Sequence, residues 1–224
     1  MKPLAYLVSS HFSYAPLALP RLLQSMRDCG IAAKHIFVVL CGCKREFDQK
    51  GPDCTFWFVN HESRNFCTFI EAVNPARAES LQPFDHVFCL LDTCQAGPQF
   101  ATLSQNFDRD LDAMAANPHL PHRVAQADLA AYSLRHLRAQ SDIIETFRNA
   151  HPTVNLDWEG RIFHLAEKRA FYCGDSWDGM KVICGPEDVY GTGTPRITEH
   201  YHSVDLIHFK SNWGQHGRNL SERI

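Results

Sequence analysis

The sequence predicts an α/β protein, Rossmann-like, with a mostly parallel central sheet flanked by helices. Three observations predict it. The stretch Phe84-Asp85-His86-Val87-Phe88-Cys89-Leu90-Leu91-Asp92-Thr93-Cys94 holds a short uncharged run, Val87 to Leu91, that stops on an aspartate. Such a run is too short for a secure helix and suits a strand buried on both faces. Two further apolar runs, Leu4 to Val8 and His35 to Leu40, alternate with helical patterns. The order strand, helix, strand, strand, helix, strand then favours parallel strands joined by crossovers.

The first strand, Leu4 to Val8, ends in Ser9-Ser10-His11. A helix follows from Pro16 to Cys29, with Leu17, Leu19, Leu22, Leu23 and Met26 roughly on one face and Gly30 as its C-cap. The second strand, His35 to Leu40, turns at Cys41-Gly42-Cys43, and charged residues fill a loop to Asp53. Thr55 to Val59 is the third strand, closed by Asn60. Phe66 to Leu81 is helical in pattern, with Pro75 as a kink or break. The strand ending at Asp92 is the fourth.

Beyond it, helices are expected at Phe100 to Ala116, Ala127 to Arg138 and Ser141 to Ala150, with a break around Asn117 to Pro121. Short β-like runs follow at Lys181 to Cys184 and Val204 to Phe209. No repeat, low-complexity segment or long linker divides the chain. One domain is expected over 1–224, with a nucleotide-binding half spanning about 1–95 and a variable half with the C-terminal tail over about 96–224.

A chain with 45% hydrophobic and 21% charged residues can build an ordinary soluble core. Net charge is −3 and no Lys/Arg block stands out, which disfavours nucleic acid as a partner. The cysteine count is 9, odd and without a CxxC pair, which argues against a closed disulfide framework and a zinc ribbon. Cys41-Gly42-Cys43 gives two ligands with no second pair nearby, too few for structural zinc. Met1-Lys2-Pro3 lacks the features of a secretory signal, and no segment reaches the ~18–20 apolar residues of a membrane span. A cytoplasmic chain with reduced thiols and no transmembrane segment is expected.

In open α/β sheets, ligands bind beyond the carboxyl ends of the strands. Ser9, Cys41, Asn60 and Asp92 stand at such ends. Asp92 either meets a cation or sugar phosphate there, or caps the turn that follows. Ser9, Ser10 and His11 either hydrogen-bond a nucleotide's base or ribose or cap the next helix, and Asn60 and Asn65 carry the same ambiguity. The dinucleotide fingerprint GxGxxG, the P-loop and the GxSxG elbow are all missing, so ATPase and serine-hydrolase readings fall away. Gly191-Thr192-Gly193-Thr194-Pro195 is a candidate mobile loop or a plain turn.

Taken together, these residues resemble the GT-A-type glycosyltransferases, including their small uncharacterised members. Leu7-Val8-Ser9-Ser10, Ser25 and Val38 to Gly42 look like that family's first βαβ unit. Val87 to Cys94 looks like the strand leading into its DxD motif, and Asp157-Trp158-Glu159-Gly160 like its later acidic motif. The block from Arg196-Ile197-Thr198-Glu199 to Asn212-Trp213-Gly214 is also similar.

The resemblance implies transfer of a sugar from a nucleotide-diphosphate donor to an unidentified acceptor. It implies Ser9, Ser10, Asn60, Asp92, Thr93 and Lys210 as donor-binding residues. It implies Glu159 or Asp157 as the base that takes the acceptor's proton. Mn²⁺ or Mg²⁺ is the implied cofactor, with Asp92, His202 and His208 as candidate ligands. The second DxD carboxylate is replaced by Cys94, and hard cations are poorly served by sulfur. Two rivals stand beside this reading: a non-catalytic glycan- or nucleotide-binding module, and a nucleotidyltransferase. The latter would want a Gly-rich basic loop after the first strand, which Ser9 to Tyr14 does not provide.

Overall fold

The computed structural model describes residues 2–13, 15–116, 118–119, 124–125, 129–149, 156–174, 180–185 and 196–210. In chain order its front half holds β1 (Leu4–His11), α1 (Ala15–Asp28), β2 (Ile36–Cys41), β3 (Phe47–Lys50), β4 (Thr55–Phe58), α2 (Cys67–Val73), α3 (Ala78–Leu81) and β5 (His86–Leu91). Next come β6 (Cys94–Ala96), α4 (Phe100–Leu103), β7 (Ala113–Ala115), β8 (Pro118–His119), β9 (Val124–Ala125) and β10 (Ala130–Ser133). The remainder is α5 (Leu134–Ala139), α6 (Ser141–Glu145), α7 (Leu156–His164), β11 (Arg169–Phe171), β12 (Met180–Gly185), β13 (Arg196–Tyr201) and β14 (Leu206–Lys210).

The central sheet has eight strands in the order β11-β7-β10-β5-β1-β2-β4-β3. The pairs β1–β2, β1–β5, β2–β4 and β7–β11 are parallel. Antiparallel pairs enter only through β10 and the edge strand β3. Hence the mostly parallel α/β sheet of the sequence reading. Every residue of β2 and β5 is buried, as a strand covered on both faces requires.

Alternate residues of β1 feed two cores, because successive side chains of a strand point to opposite faces. Ala5 and Leu7 pack with Val39, Trp57, Ile70 of α2, Leu137 of α5 and Phe163 of α7. Leu4, Tyr6 and Val8 pack with Leu19, Leu22 and Met26 of α1 and with Tyr201 and Leu206. Leu17, expected on that apolar face of α1, is instead 47% exposed. Its 100°-per-residue position falls outside the stripe set by Leu19, Leu22 and Met26.

A second sheet, β12-β13-β14-β6, is antiparallel throughout. It lies on the α1 side, and β6 enters it directly after β5. Asp92 and Thr93 are therefore the corner where the chain leaves one sheet for the other.

Several expectations are corrected. The segment Phe100 to Ala116 is helical only over Phe100–Leu103 and then extends into β7. Ala127 to Arg138 begins its described part with β10, a buried sheet strand, before α5 starts at Leu134. The charged loop to Asp53 contains β3, an exposed edge strand paired with β4. The helix over Phe66 to Leu81 does break at Pro75, where a 3₁₀ turn separates α2 from α3.

Candidate functional site

The strand order fixes where a ligand crevice can form. From β1 the chain moves outward to β2 and β4, then returns across β1 to β5 and continues on the other side. The reversal lies between β1 and β5, and such switch points open a crevice at the strands' carboxyl ends. On this sheet those ends carry Ser9, Ser10 and His11 from β1 and Asp92 and Thr93 after β5.

Asp92 is 4% exposed and Ser10 2% exposed, and Ser10 Oγ donates to Asp92 Oδ2 at 2.6 Å. The Asp92 backbone N–H donates to the Ser9 carbonyl at 3.0 Å. Burial pushes the Asp92 carboxyl up to about 7, against the opposing pull of the Ser10 hydroxyl and the Thr93 N–H. A carboxyl so placed exchanges its proton near neutral pH.

Behind this pair lie two thiols. Cys67 Sγ is 3.2 Å from Ser9 Oγ, and Cys41 Sγ donates to the Ser10 carbonyl at 3.2 Å. Burial pushes the Cys67 thiol well above its ordinary value, so it packs as a neutral group. Cys29, Cys41, Cys43, Cys54 and Cys67 are free thiols.

The accessible rim is made by His11, Phe12, Asn60, Glu62 and Thr93. His11 Nδ1 accepts the Ser13 N–H at 3.2 Å, which leaves Nε2 as the protonated nitrogen, 3.1 Å from Glu62 Oε2. Gly42 makes room for that ring: a Cβ there would meet His11 Nε2 at 2.3 Å, and its φ is +77°. Phe12 is 52% exposed, with its ring centroid 4.9 Å from that of His11. An exposed aromatic beside a polar crevice offers a flat apolar face to a base or sugar ring. Phe12 and Glu62 are the residues sequence reasoning missed. Nothing in the local pattern distinguishes them from ordinary loop residues.

The loop carrying Glu62 is anchored from below. Ser63 Oγ is 2.7 Å from His61 Nδ1, and His61 Nε2 is 3.4 Å from Glu71 Oε1. Arg77 Nε donates to Glu71 Oε2 at 2.7 Å and its Nη1 bonds Asp48. His61, Ser63, Glu71 and Arg77 are all buried.

The sequence-predicted residues divide into groups. Ser9, Ser10, Asp92 and Thr93 are brought together; Ser9, Ser10 and Asp92 lie beneath the surface and Thr93 is half-buried. Asn60 is exposed, two residues beyond β4. Phe209 N–H donates to the Thr93 carbonyl at 3.0 Å, so the backbone of Lys210, the next residue, is held near Asp92. Asp157 and Glu159 lie in the first turn of α7. Gly191 to Pro195 and Asn212 to Gly214 lie outside the described residues.

His208 and His202 part company. On β14, His208 is in register with Cys94 on one side and Glu199 on the other. It is 5% exposed, and its Nδ1, without a hydrogen bond, lies 3.6 Å from Glu199 Oε2. His202 sits in the exposed turn between β13 and β14, its ring 4.2 Å from that of His200. That turn is at the far end of the small sheet from Asp92.

Asp92 is bonded to the Ser10 hydroxyl, and the next side chains along the small sheet, the Cys94 thiol and the His208 imidazole paired in register with it, are softer donors than Mn²⁺ or Mg²⁺ prefer. Among the described residues, no group of three or more His, Cys, Asp or Glu side chains could hold a metal ion. This donor set does not fit a resident hard cation. No helix among the described residues is long and apolar enough to cross a membrane.

The chain is similar to two glycosyltransferases. One is involved in the glycosylation of the major capsid of PBCV-1: identity is 11%, TM-score 0.48, and 75% of this chain covers 81% of that one. The other is apo GlyE of Streptococcus pneumoniae TIGR4, at 12% identity and TM-score 0.47, with 73% of this chain covering 43% of that one. The chain therefore spans less than half of GlyE's length. No family model matches the chain. No curated protein matches it either.

Proposed function

We propose that this chain is a GT-A-type glycosyltransferase that takes a sugar from a nucleotide-diphosphate donor held at the carboxyl ends of β1 and β5. One observation carries the reading. The Ser10–Asp92 pair straddles the strand-order reversal, where an open α/β sheet forms its ligand crevice. His11, Phe12 and Thr93 form the surface above it that meets the donor. Phe12 offers the base or sugar an apolar face, and His11 Nε2–H a donor for oxygen.

Loss of the nucleoside diphosphate builds negative charge that protein donors must offset. Backbone N–H groups at the β1 and β5 ends, His11 and Lys210 are assigned that task. Either Glu159 or Asp157 on α7 serves as the base for the acceptor hydroxyl. The second reading, a binding module without turnover, is favoured by Cys94 standing where a second carboxylate would be.

The test is a screen of nucleotide sugars for thermal stabilisation, with and without Mn²⁺, on wild type, Phe12→Ala and Asp92→Asn. A donor at about 100 times its dissociation constant should add roughly 2.7 kcal/mol. Support is a donor-specific shift, lost in the variants, together with release of the nucleoside diphosphate in the presence of acceptors. A shift without release supports the binding module. Neither shift nor release with any donor overturns both.

A further inference from the structure

A second site lies at the opposite end of the central sheet. There, a cavity of about 1150 Å³ opens among Lys2 before β1, Asp85 and His86 at the start of β5, and Ser133, Leu134 and Arg138. It is large enough for a metabolite-sized ligand, since such pockets typically span ~300–1,000 Å³. His86 and Asp92 bracket β5, so at ~3.3 Å per residue the two sites are roughly 20 Å apart.

Cations dominate its wall. Lys2 is paired with Asp85 at 3.0 Å, and Arg135 with Asp112 at 2.9 Å. Arg109, Arg138 and Lys168 also line the cavity and have no ion pair among the described residues, against the two carboxylates Glu79 and Asp110.

Two buried groups at this wall lack partners. Arg109 lies over the ring of Phe107 at 4.4 Å, and its Nε and Nη1 are buried without a hydrogen bond. Buried guanidinium donors are rarely left unmet, because each loses its hydration for nothing. His86 is 5% exposed and meets the same Phe107 ring edge-on at 5.1 Å. Its Nε2 faces the Leu111 carbonyl at 3.4 Å, while Nδ1 is buried without a hydrogen bond. Burial lowers its proton affinity, so near pH 7 the ring is neutral and Nδ1 is an acceptor. Arg109 therefore acts on the cavity through its charge, and the exposed Arg138 and Lys168 are the donors that an anionic oxygen there can reach.

We propose that this cavity binds a phosphorylated small molecule, its phosphate oxygens held by the exposed Arg138 and Lys168 with the Arg109 guanidinium adding positive charge behind them. The inference is independent of the donor site.

Inorganic phosphate and pyrophosphate serve as probes, titrated calorimetrically into the full chain with ionic strength fixed by chloride. Variants are R138E/K168E, whose side chains are exposed, and D92N at the other site. Saturable binding is expected, weakened by roughly tenfold or more in R138E/K168E and unchanged in D92N. Equal melting temperatures of R138E/K168E and wild type without ligand would establish that the loss is not unfolding. The proposal is overturned by no saturable binding into the millimolar range, by binding that R138E/K168E leaves intact, or by binding that D92N abolishes.

Discussion

Ser10 Oγ and Asp92 Oδ2 lie 2.6 Å apart although 82 residues separate them in the chain. Together with the Asp92 N–H to Ser9 carbonyl bond of 3.0 Å, this contact ties the end of β1 to the corner after β5. The pair is both a tether between strands and a proton site.

Stability should fall as pH rises through the range in which Asp92 ionises. The unfolded carboxyl titrates near ~3.9. Burial holds the folded one at about 7, so between those values the folded chain carries the extra proton. Folding is therefore favoured below the unfolded value, and that advantage is lost as pH rises through the folded one. At about 1.4 kcal/mol per unit, the loss is on the order of 4 kcal/mol. Asp92→Asn has no such proton to lose. Urea unfolding at pH 5 and pH 8 checks this: wild type should weaken relative to Asp92→Asn, and parallel behaviour would mean that the carboxyl is not raised.

Removing the Ser10 hydroxyl should matter most when Asp92 is charged. Ser10→Ala leaves a buried carboxylate short of one donor, a loss of about 1–3 kcal/mol, and pushes its titration higher still. The expected signature is a larger cost at pH 8 than at pH 5. The Ser10→Ala/Asp92→Asn double variant should show less than the sum of the two single losses, because the residues are in contact. Additive losses would show that the pair is not coupled.

The buried ion pair between Glu71 and Arg77 gives the opposite pH sign. Burial alone would raise the Glu71 carboxyl, but hydrogen bonds from His61 and Arg77 and the Arg77 charge hold it below its ordinary value. Its stabilisation is thus present above the unfolded carboxylate range and is lost as pH falls through the depressed value. Glu71→Gln removes the buried charge facing the Arg77 guanidinium, itself 6% exposed, and leaves it only the half-exposed Asp48 carboxylate as an ionic partner. Breaking such a pair costs about 3–5 kcal/mol, whereas the double replacement Glu71→Met/Arg77→Met should cost less than Glu71→Gln alone. Denaturant midpoints of the three proteins decide it.

The parallel strands were legible because burial on both faces writes itself as an unbroken apolar run: Leu4 to Val8, Ile36 to Leu40 and Val87 to Leu91 each became sheet. β7 and β10 were hidden for the converse reason. Ala113, Ala115, Ala130 and Ala131 favour helix locally, and their place between larger strands overrides that preference. β3, with Phe47, Asp48, Gln49 and Lys50 all exposed, carries no burial signal. At the site, Asp92 could be read from its abrupt position after an apolar strand. Its partner Ser10, the rim residue Phe12 and the His61–Glu71–Arg77 support depend on contacts between distant segments, which no local pattern encodes.

Gly42 supplies the last prediction, with Gly30 as its control. Both hold left-handed backbone, at φ +77° and +78°. A Cβ on Gly30 would meet nothing within 4 Å, whereas one on Gly42 would meet His11 Nε2 at 2.3 Å and Glu62 Oε1 at 3.0 Å. Gly30→Ala should therefore cost only backbone strain, about 1–2 kcal/mol. Gly42→Ala should cost that and also drive His11 from its contacts with Glu62 and the Ser13 N–H. The excess loss of stability in Gly42→Ala over Gly30→Ala measures how firmly the His11 ring is held. If the two variants unfold alike, the ring moves freely, and His11 cannot be the fixed donor that the proposed sugar-nucleotide site requires.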